Sequence, residues 1–248
     1  RMTEFTFKPS NKDHPTKEEL DLLLKHIRHD FFSDLGLANL IVGEVNKLAQ
    51  KGKFGSISEY ASDLDRSFLG MRHATHIMLA ISTLPHPHKI PLSFSPTAYF
   101  SLLNDYFLSR HRKDNLLITH ESSSSKISNY GEIIYMQLFN FLQNARDSYL
   151  DEYGVMTKGV HKIELSSRLE TLSPSELNYL GECIQLYQLP YQFVRMSVKD
   201  YGSGIPVENL ERIFQEGVTT KPEGTGVGLA LTDYICSEIR GFIKVETE

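Results

Sequence analysis

Between Lys199 and Leu231 one carboxylate and two glycine clusters fall in an order that suits nucleotide chemistry. Asp200 precedes Gly202 and Gly204, and after a short loop come Gly224, Gly226 and Gly228. A lone carboxylate accepts hydrogen bonds from the amino group of a base. Glycine tolerates backbone angles and close ligand approach that a Cβ forbids. A run of peptide N–H groups that opens onto a helix binds anions. Together these describe a nucleotide pocket with a lid.

The same residues carry a resemblance. Asp200-x-Gly202-x-Gly204-Ile205-Pro206, then Ile213-Phe214, then Thr219-Thr220-Lys221-Pro222-x-Gly224-Thr225-Gly226-x-Gly228-Leu229 resembles the ATP-binding domain of bacterial sensor histidine kinases. That fold is shared with gyrase, MutL-type and heat-shock chaperone ATPases. A lone G-x-G would carry little, but four elements in order carry much. Upstream, Leu138-Phe139-Asn140-Phe141-Leu142-Gln143-Asn144-Ala145 is similar to the family's asparagine box. Asn140 and Asn144 are four apart, so both side chains leave one helical face. The resemblance implies that Asn144 ligates the Mg2+ ion bridging the ATP phosphates, with Asn140 in support. A hard, partly hydrated cation with oxygen ligands is what phosphoryl transfer needs. Solvated surface amides are the plain alternative. The flanking Ile133, Ile134, Leu138, Phe141, Leu142 and Ala145 argue for a packed helix, on which two idle amides are out of place. The resemblance also puts Asp200 on adenine. It assigns the shaping of the pocket to Gly202, Gly204, Gly224, Thr225, Gly226, Val227, Gly228 and Leu229. Lys221 reads equally as a γ-phosphate contact and as a solvated lid charge.

Ten histidines compete for the role of phospho-acceptor. His29 sits about 200° round the helix from Ile27, so it points away from the apolar stripe. Arg28-His29-Asp30-Phe31 resembles the phospho-acceptor box of the citrate/dicarboxylate and peptide-pheromone sensor kinases. A neutral imidazole attacks a phosphoryl group through one nitrogen while its other N–H is held, and the neighbouring Asp30 carboxylate can orient the ring or take the proton. His26 is the nearest rival, with a poorer spacing from the stripe. Family members place Asn or Thr four residues after the His, often followed by Pro. Here Ser33 and Asp34 stand there, which puts phosphatase activity in doubt. The aromatic residue common before Thr-Thr-Lys is replaced by Gly217-Val218.

These residues need elements to hold them. Residues 17–51 predict a long helix, with Leu20, Leu24, Ile27, Phe31, Leu35, Ala38, Ile41/Val42, Val45 and Leu48 at the spacing of a bundle seam. Residues 56–84 predict a second, with Ile57, Tyr60, Leu64, Phe68, Met71, Thr75, Met78 and Ile81. Two such stripes are poorly buried in one hairpin, so pairing with a second copy is expected. Pro85-His86-Pro87-His88 reads as a stiff linker. Beyond it strands are expected at 90–94, 116–120, 162–166, 193–199 and 241–245. Helices are expected at 97–109, 131–150 and 227–239. Residues 173–188, opening on the capping box Ser173-Pro174-Ser175-Glu176, read as an insertion. The sequence stops at Glu248, where family members add one further strand, and the open edge needs another partner.

Composition sets outer limits. Forty per cent apolar residues supply a core, and a net charge of −5 with pI near 6.1 gives no electrostatic reason to expect nucleic acid or an anionic membrane. No apolar run reaches the length of a membrane span, so a sensor or membrane region would lie outside this chain. Cys183 and Cys236 lack metal spacing and read as reduced thiols of a cytoplasmic protein.

The expected fold is α+β: a helical hairpin (17–84) forming a dimeric four-helix bundle, followed by a two-layer α/β sandwich ATP-binding domain (89–248). The expected function is that of a histidine kinase core in a two-component signal transduction system. It autophosphorylates on His29 and passes the phosphoryl group to an aspartate of a response regulator receiver domain. A phosphotransfer adaptor with a decayed nucleotide site is the alternative, against which Asn144, Asp200 and both glycine boxes speak. A gyrase-type ATPase would carry a Glu general base where Asn140 stands.

Overall fold

The three-and-four apolar rhythm folds as two long helices packed side by side, α1 (Lys17–Gln50) and α2 (Ser58–Thr83). The computed structural model describes residues 3–7, 17–52, 58–83, 93–122, 127–128, 131–171, 192–215, 218, 227–238 and 241–247. The Pro85–His88 linker, the insertion at 173–188 and Cys183 lie outside them. Gly52 ends α1 with φ at +67°, a left-handed position that favours glycine. On α1, Ala38 and Ile41 are buried and Phe31, Leu35, Val45 and Leu48 partly covered, while Val42 is exposed.

The face of α2 differs from expectation. Among its described residues the buried ones are Ser67, Gly70 and Ala74, and Phe68 stands 54% exposed. A small-residue face lets neighbouring elements approach closely, and Gly70 lies directly against Asp34 of α1. Phe32, Leu40 and Phe68 are left on the outside of the hairpin.

The rest of the chain is mixed. A short β2 (Ser93–Phe94) pairs with β4 (Ile127–Ser128), and between them run α3 (Pro96–Arg110) and β3 (Leu116–Ser122). Pro96 opens α3, where its missing N–H costs nothing. Then come α4 (Gly131–Asp147), β5 (His161–Thr171), β6 (Gln192–Asp200), a 3-10 turn (Val207–Asn209), α5 (Val227–Glu238) and β7 (Ile243–Thr247). In the central sheet β3 runs parallel to β5, and β5 antiparallel to β6. Ile163 and Leu165 of β5 alternate inward, meeting Phe100, Leu103 and Phe107 of α3 and Tyr135 and Leu142 of α4 in one core. Each such side chain contributes about 1.5–3 kcal/mol by leaving water. Helix α2 packs against both α3 and α4, joining hairpin and sheet.

Three boundaries moved for physical reasons. Helix α4 stops at Asp147 rather than Leu150, because Tyr149 and Leu150 bond back three residues, to Arg146 O and Asp147 O. Leu150 then bridges to Met156. Strand β5 runs on to Thr171 through a polar stretch. Cross-strand pairs carry it: Ser166 with Ser197 at 2.6 Å and Arg195 with Glu170 at 2.8 Å. The last strand is shifted to Ile243–Thr247.

One strand was not anticipated. Thr3–Phe7, β1, pairs antiparallel with β7, from Thr3↔Thr247 to Phe7↔Ile243. It occupies the edge that the sequence left open. The buried Thr247 hydroxyl accepts from Ile205 N at 3.0 Å and lies 3.2 Å from Ile205 O, so β7 is fastened beside the turn after β6.

Consecutive residues of an antiparallel edge aim their N–H groups alternately at the partner and away. Of Phe5→Pro and Thr6→Pro, one removes a ladder donor and the other does not. The two variants should differ by about 1 kcal/mol in unfolding free energy, read from urea midpoints. Equal midpoints would contradict the β1–β7 pairing.

Candidate functional site

The site is built on the end of α4. Its apolar residues, among them Tyr135, Leu138, Leu142 and Ala145, are buried and set the rotation of the helix. Asn140 and Asn144 are thereby held half-buried on one face. Gln137 Nε2 donates to Thr232 Oγ1 at 2.9 Å, and both side chains are buried. This ties α4 to α5, the helix that opens at Val227.

One turn past Asn144 stands Ser148, whose N–H bonds Asn144 O at 2.9 Å. Its Oγ lies 2.8 Å from Ala145 O and 2.8 Å from Asp200 Oδ1. Gly202 N donates to the same Asp200 Oδ1 at 3.0 Å, and Ser203 N donates to Ser148 O at 3.0 Å. The turn after β6 is thus wrapped around Ser148. A Cβ on Gly202 would fall 2.0 Å from Ser148 Oγ and 2.6 Å from both its Cβ and its carbonyl oxygen. Only glycine fits there. Gly204 has φ at +69°, again a position suited to glycine. The bonds that Asp200 accepts among the described residues both go to Oδ1, which leaves Oδ2 to meet a ligand's donor.

Neighbouring groups steady this cluster. Tyr149 Oη donates to Lys162 O at 2.5 Å and accepts from Tyr201 N at 2.8 Å, clamping the residue after Asp200. Burial raises the Tyr149 phenol above its usual range, against the opposing bond from Tyr201. The Arg146 guanidinium is taken up by Asp114, at 2.7 Å, and Asp147, at 2.8 Å. His111, 3.3 Å from Asp114, is pushed below the ordinary imidazole range, by burial first and the Arg146 charge second, with Asp114 opposing.

The remaining sequence candidates divide. His29 is exposed on α1, and the Asp30 side chain lies outside the described residues. Val227, Gly228 and Leu229 open α5. Lys221, Gly224, Thr225 and Gly226 lie outside the described residues. The structure therefore brings Asn144, Asp200 and Gly202 together around Ser148, with Asn140 one turn below. His29 belongs to a different helix, α1, which packs on α2. Ser148 was missed in the sequence, although its signal was present. Positions 140, 144 and 148 form a ladder of polar residues at a spacing of four.

Residues 132–248 match the family described as histidine kinase-, DNA gyrase B-, and HSP90-like ATPase. Sensor histidine kinase ZraS of Escherichia coli O157:H7 is 48% identical over 52 residues, 21% of this chain and 11% of that protein. Over these residues the chain is similar to the ATPase domain of sensor histidine kinases. Sporulation kinase A of Bacillus subtilis (strain 168) is 44% identical over 54 residues, 22% of this chain and 9% of that one. The chain spans about a tenth of the length of these curated relatives. A solved structure, full-length ShkA in complex with AMPPNP, is 16% identical at a TM-score of 0.46, covering 94% of this chain and 45% of that one. Among the described residues, no helix is long and apolar enough to cross a membrane. No group of three or more His, Cys, Asp or Glu among them could hold a metal.

Ser148→Ala removes one of two donors to Asp200 and should weaken ATP binding about fivefold, a loss near 1 kcal/mol. Gly202→Ala should weaken it further, and the double variant should not recover. The Ser148 main-chain oxygen, 2.6 Å from the new methyl, remains in the way. Calorimetric titration with ATP checks the ranking.

Proposed function

We propose that this chain is an ATP-dependent protein-histidine kinase core: residues 89–248 bind ATP, and the γ-phosphoryl group passes to His29 on the hairpin of residues 17–84. The observation that carries the reading is the closure of Asp200 and Gly202 around Ser148, one turn from Asn144, inside the matched ATPase domain. Asp200 Oδ2 accepts from the adenine amino group. The turn at Gly202 and Gly204 lets the backbone approach the base, and the Gly224–Leu229 segment passes the phosphates to the start of α5. Lys221 precedes that segment in the sequence, as a γ-phosphate contact or a solvated lid charge.

The donor set suits magnesium. Asn144, supported by Asn140, offers a neutral amide oxygen, which suits a cation that keeps its waters and takes most other ligands from phosphates. When bound, Mg2+ neutralises phosphate charge during transfer. The rest is done by the chain. Neutral His29 attacks phosphorus through one ring nitrogen as the bond to the β–γ bridging oxygen breaks and ADP leaves. Asp30 orients the ring and accepts the proton from its other nitrogen. The phosphoramidate then passes to an aspartate of a receiver domain.

The hairpin pairs with a second copy. Phe32, Leu40 and Phe68 are exposed on its outside, an apolar surface that a two-fold bundle covers.

Incubation with labelled ATP should give acid-labile, base-stable label. His29→Gln should abolish it while ATP binding persists, since the side chain is exposed. Asp200→Ala should cut ATP affinity at least about tenfold, because a charged hydrogen bond is worth about 1.5–3 kcal/mol. Label persisting in the His29 variant would move the acceptor elsewhere, and wild type binding ATP without label would end the kinase reading.

A further inference from the structure

Asp34 is a buried carboxylate on the exposed hairpin, 2% accessible, and the nucleotide site does not account for it. Its Oδ2 lies 2.9 Å from Arg110 Nη2, at the last residue of α3 in the ATP-binding part. The pair spans 76 residues of sequence. Arg110 has reasons of its own to stay in place. It is the basic residue in the last turn of α3, where a cation is favoured, and its guanidinium carbon lies 5.8 Å from the Tyr106 ring centroid. Asp34 is covered where α2 gives way. A Cβ on Gly70 would sit 1.9 Å from Asp34 Oδ2 and 2.6 Å from its Cγ. The glycine is the socket for the carboxylate.

The position of this socket relative to His29 has a consequence. Asp34 is five residues further along α1, which is about 7.5 Å along the helix and about 140° around it. The ATP-binding part therefore grips α1 on a face turned well away from the one that presents His29. Transfer needs the γ-phosphorus within about 3–3.5 Å of an imidazole nitrogen. A buried ion pair adds little net stability once the cost of desolvating both charges is counted, but it is specific about geometry. When the two parts separate, both charges regain water. Such a contact specifies one pose and releases readily.

We propose that the Asp34–Arg110 ion pair, seated on Gly70, is a latch that holds the ATP-binding part in a resting pose on its own hairpin, and that it opens before phosphoryl transfer. The regulatory sense of this latch rests on the kinase reading above, whereas its existence as a contact between the two parts does not.

The test uses the full chain with Asp34→Asn, Arg110→Met, the double variant, and Gly70→Ala. The last keeps a strong helix former and displaces only the carboxylate, which covers the case in which Asp34→Asn fails to fold. Each variant should raise the initial rate of acid-labile labelling at saturating ATP by about fivefold or more, the range of an ordinary coupling between states. The double variant should match the faster single one, because a latch opens once. ATP affinity should be unchanged, and small-angle scattering should show a larger radius of gyration for every variant. Rates that fall or stay level, or single effects that multiply in the double variant, would overturn the latch. If the wild type carries no label, the kinase reading fails by itself. Scattering then decides the latch alone, which stands if the variants expand and falls if they do not.

Discussion

Helix α4 packs against α2, α5, β5 and β6, and its burial on so many sides is the constraint from which the rest of the site follows. A helix held this way cannot rotate without exposing Tyr135, Leu142 or Ala145, at about 1.5–3 kcal/mol for each large side chain. Its rotation sets where Asn140 and Asn144 point. Its C-terminal turn sets where Ser148 meets Asp200. The Gln137–Thr232 bond sets where α5 lies against it. Removing one of these neighbours would blur several of the polar positions together. The site thus rests on apolar packing, with only a few hydrogen bonds fixing its last details.

Most of the architecture was legible because it repeats locally. The helices α1 and α2 show in their three-and-four spacing, and Asp200 shows as a carboxylate at a strand end before glycines. The parts that were not legible share a different character. The Asp34–Arg110 pair joins residues that no local pattern connects. Among the described residues, the buried face of α2 holds Ser67, Gly70 and Ala74, which a hydrophobic stripe passes over. Strand β5 extends through Ser167, Arg168 and on to Thr171, residues whose strand preference comes from their partners on β6. Strand β1 was passed over although Thr3-Glu4-Phe5-Thr6-Phe7 is rich in strand formers. Its pairing spans nearly the whole chain, and its loop-closure cost leaves no trace in a short window.

Gly70 and Gly202 serve the same end at different places. Neither has a backbone angle that demands glycine, unlike Gly52 and Gly204. Each is small because a polar side chain from another element occupies the space of its Cβ, Asp34 at one and Ser148 at the other. A sequence reader attributes glycine to turns or to ligand approach, and Gly202 was read in that way. In the fold, its first neighbour is the serine that helps to hold Asp200. Glycine here is a receptor for a hydrogen-bonding group.

The chain thus connects its nucleotide-binding part to the helical hairpin by links of different strength. Helix α2 is packed against α3 and α4, and β1 is laced to β7 through backbone pairs that extend the register from Thr3 to Phe7. A ladder releases only when several hydrogen bonds are lost together, whereas an ion pair can exchange its partner for water in one step. Residues 3–7 precede His29 and Asp34 follows it, so His29 lies between a strong attachment and a weak one. Movement of the ATP-binding part relative to His29 is therefore easiest where the contact is electrostatic. The β1–β7 ladder, nearer the start of the chain, is the natural point about which such a movement would turn.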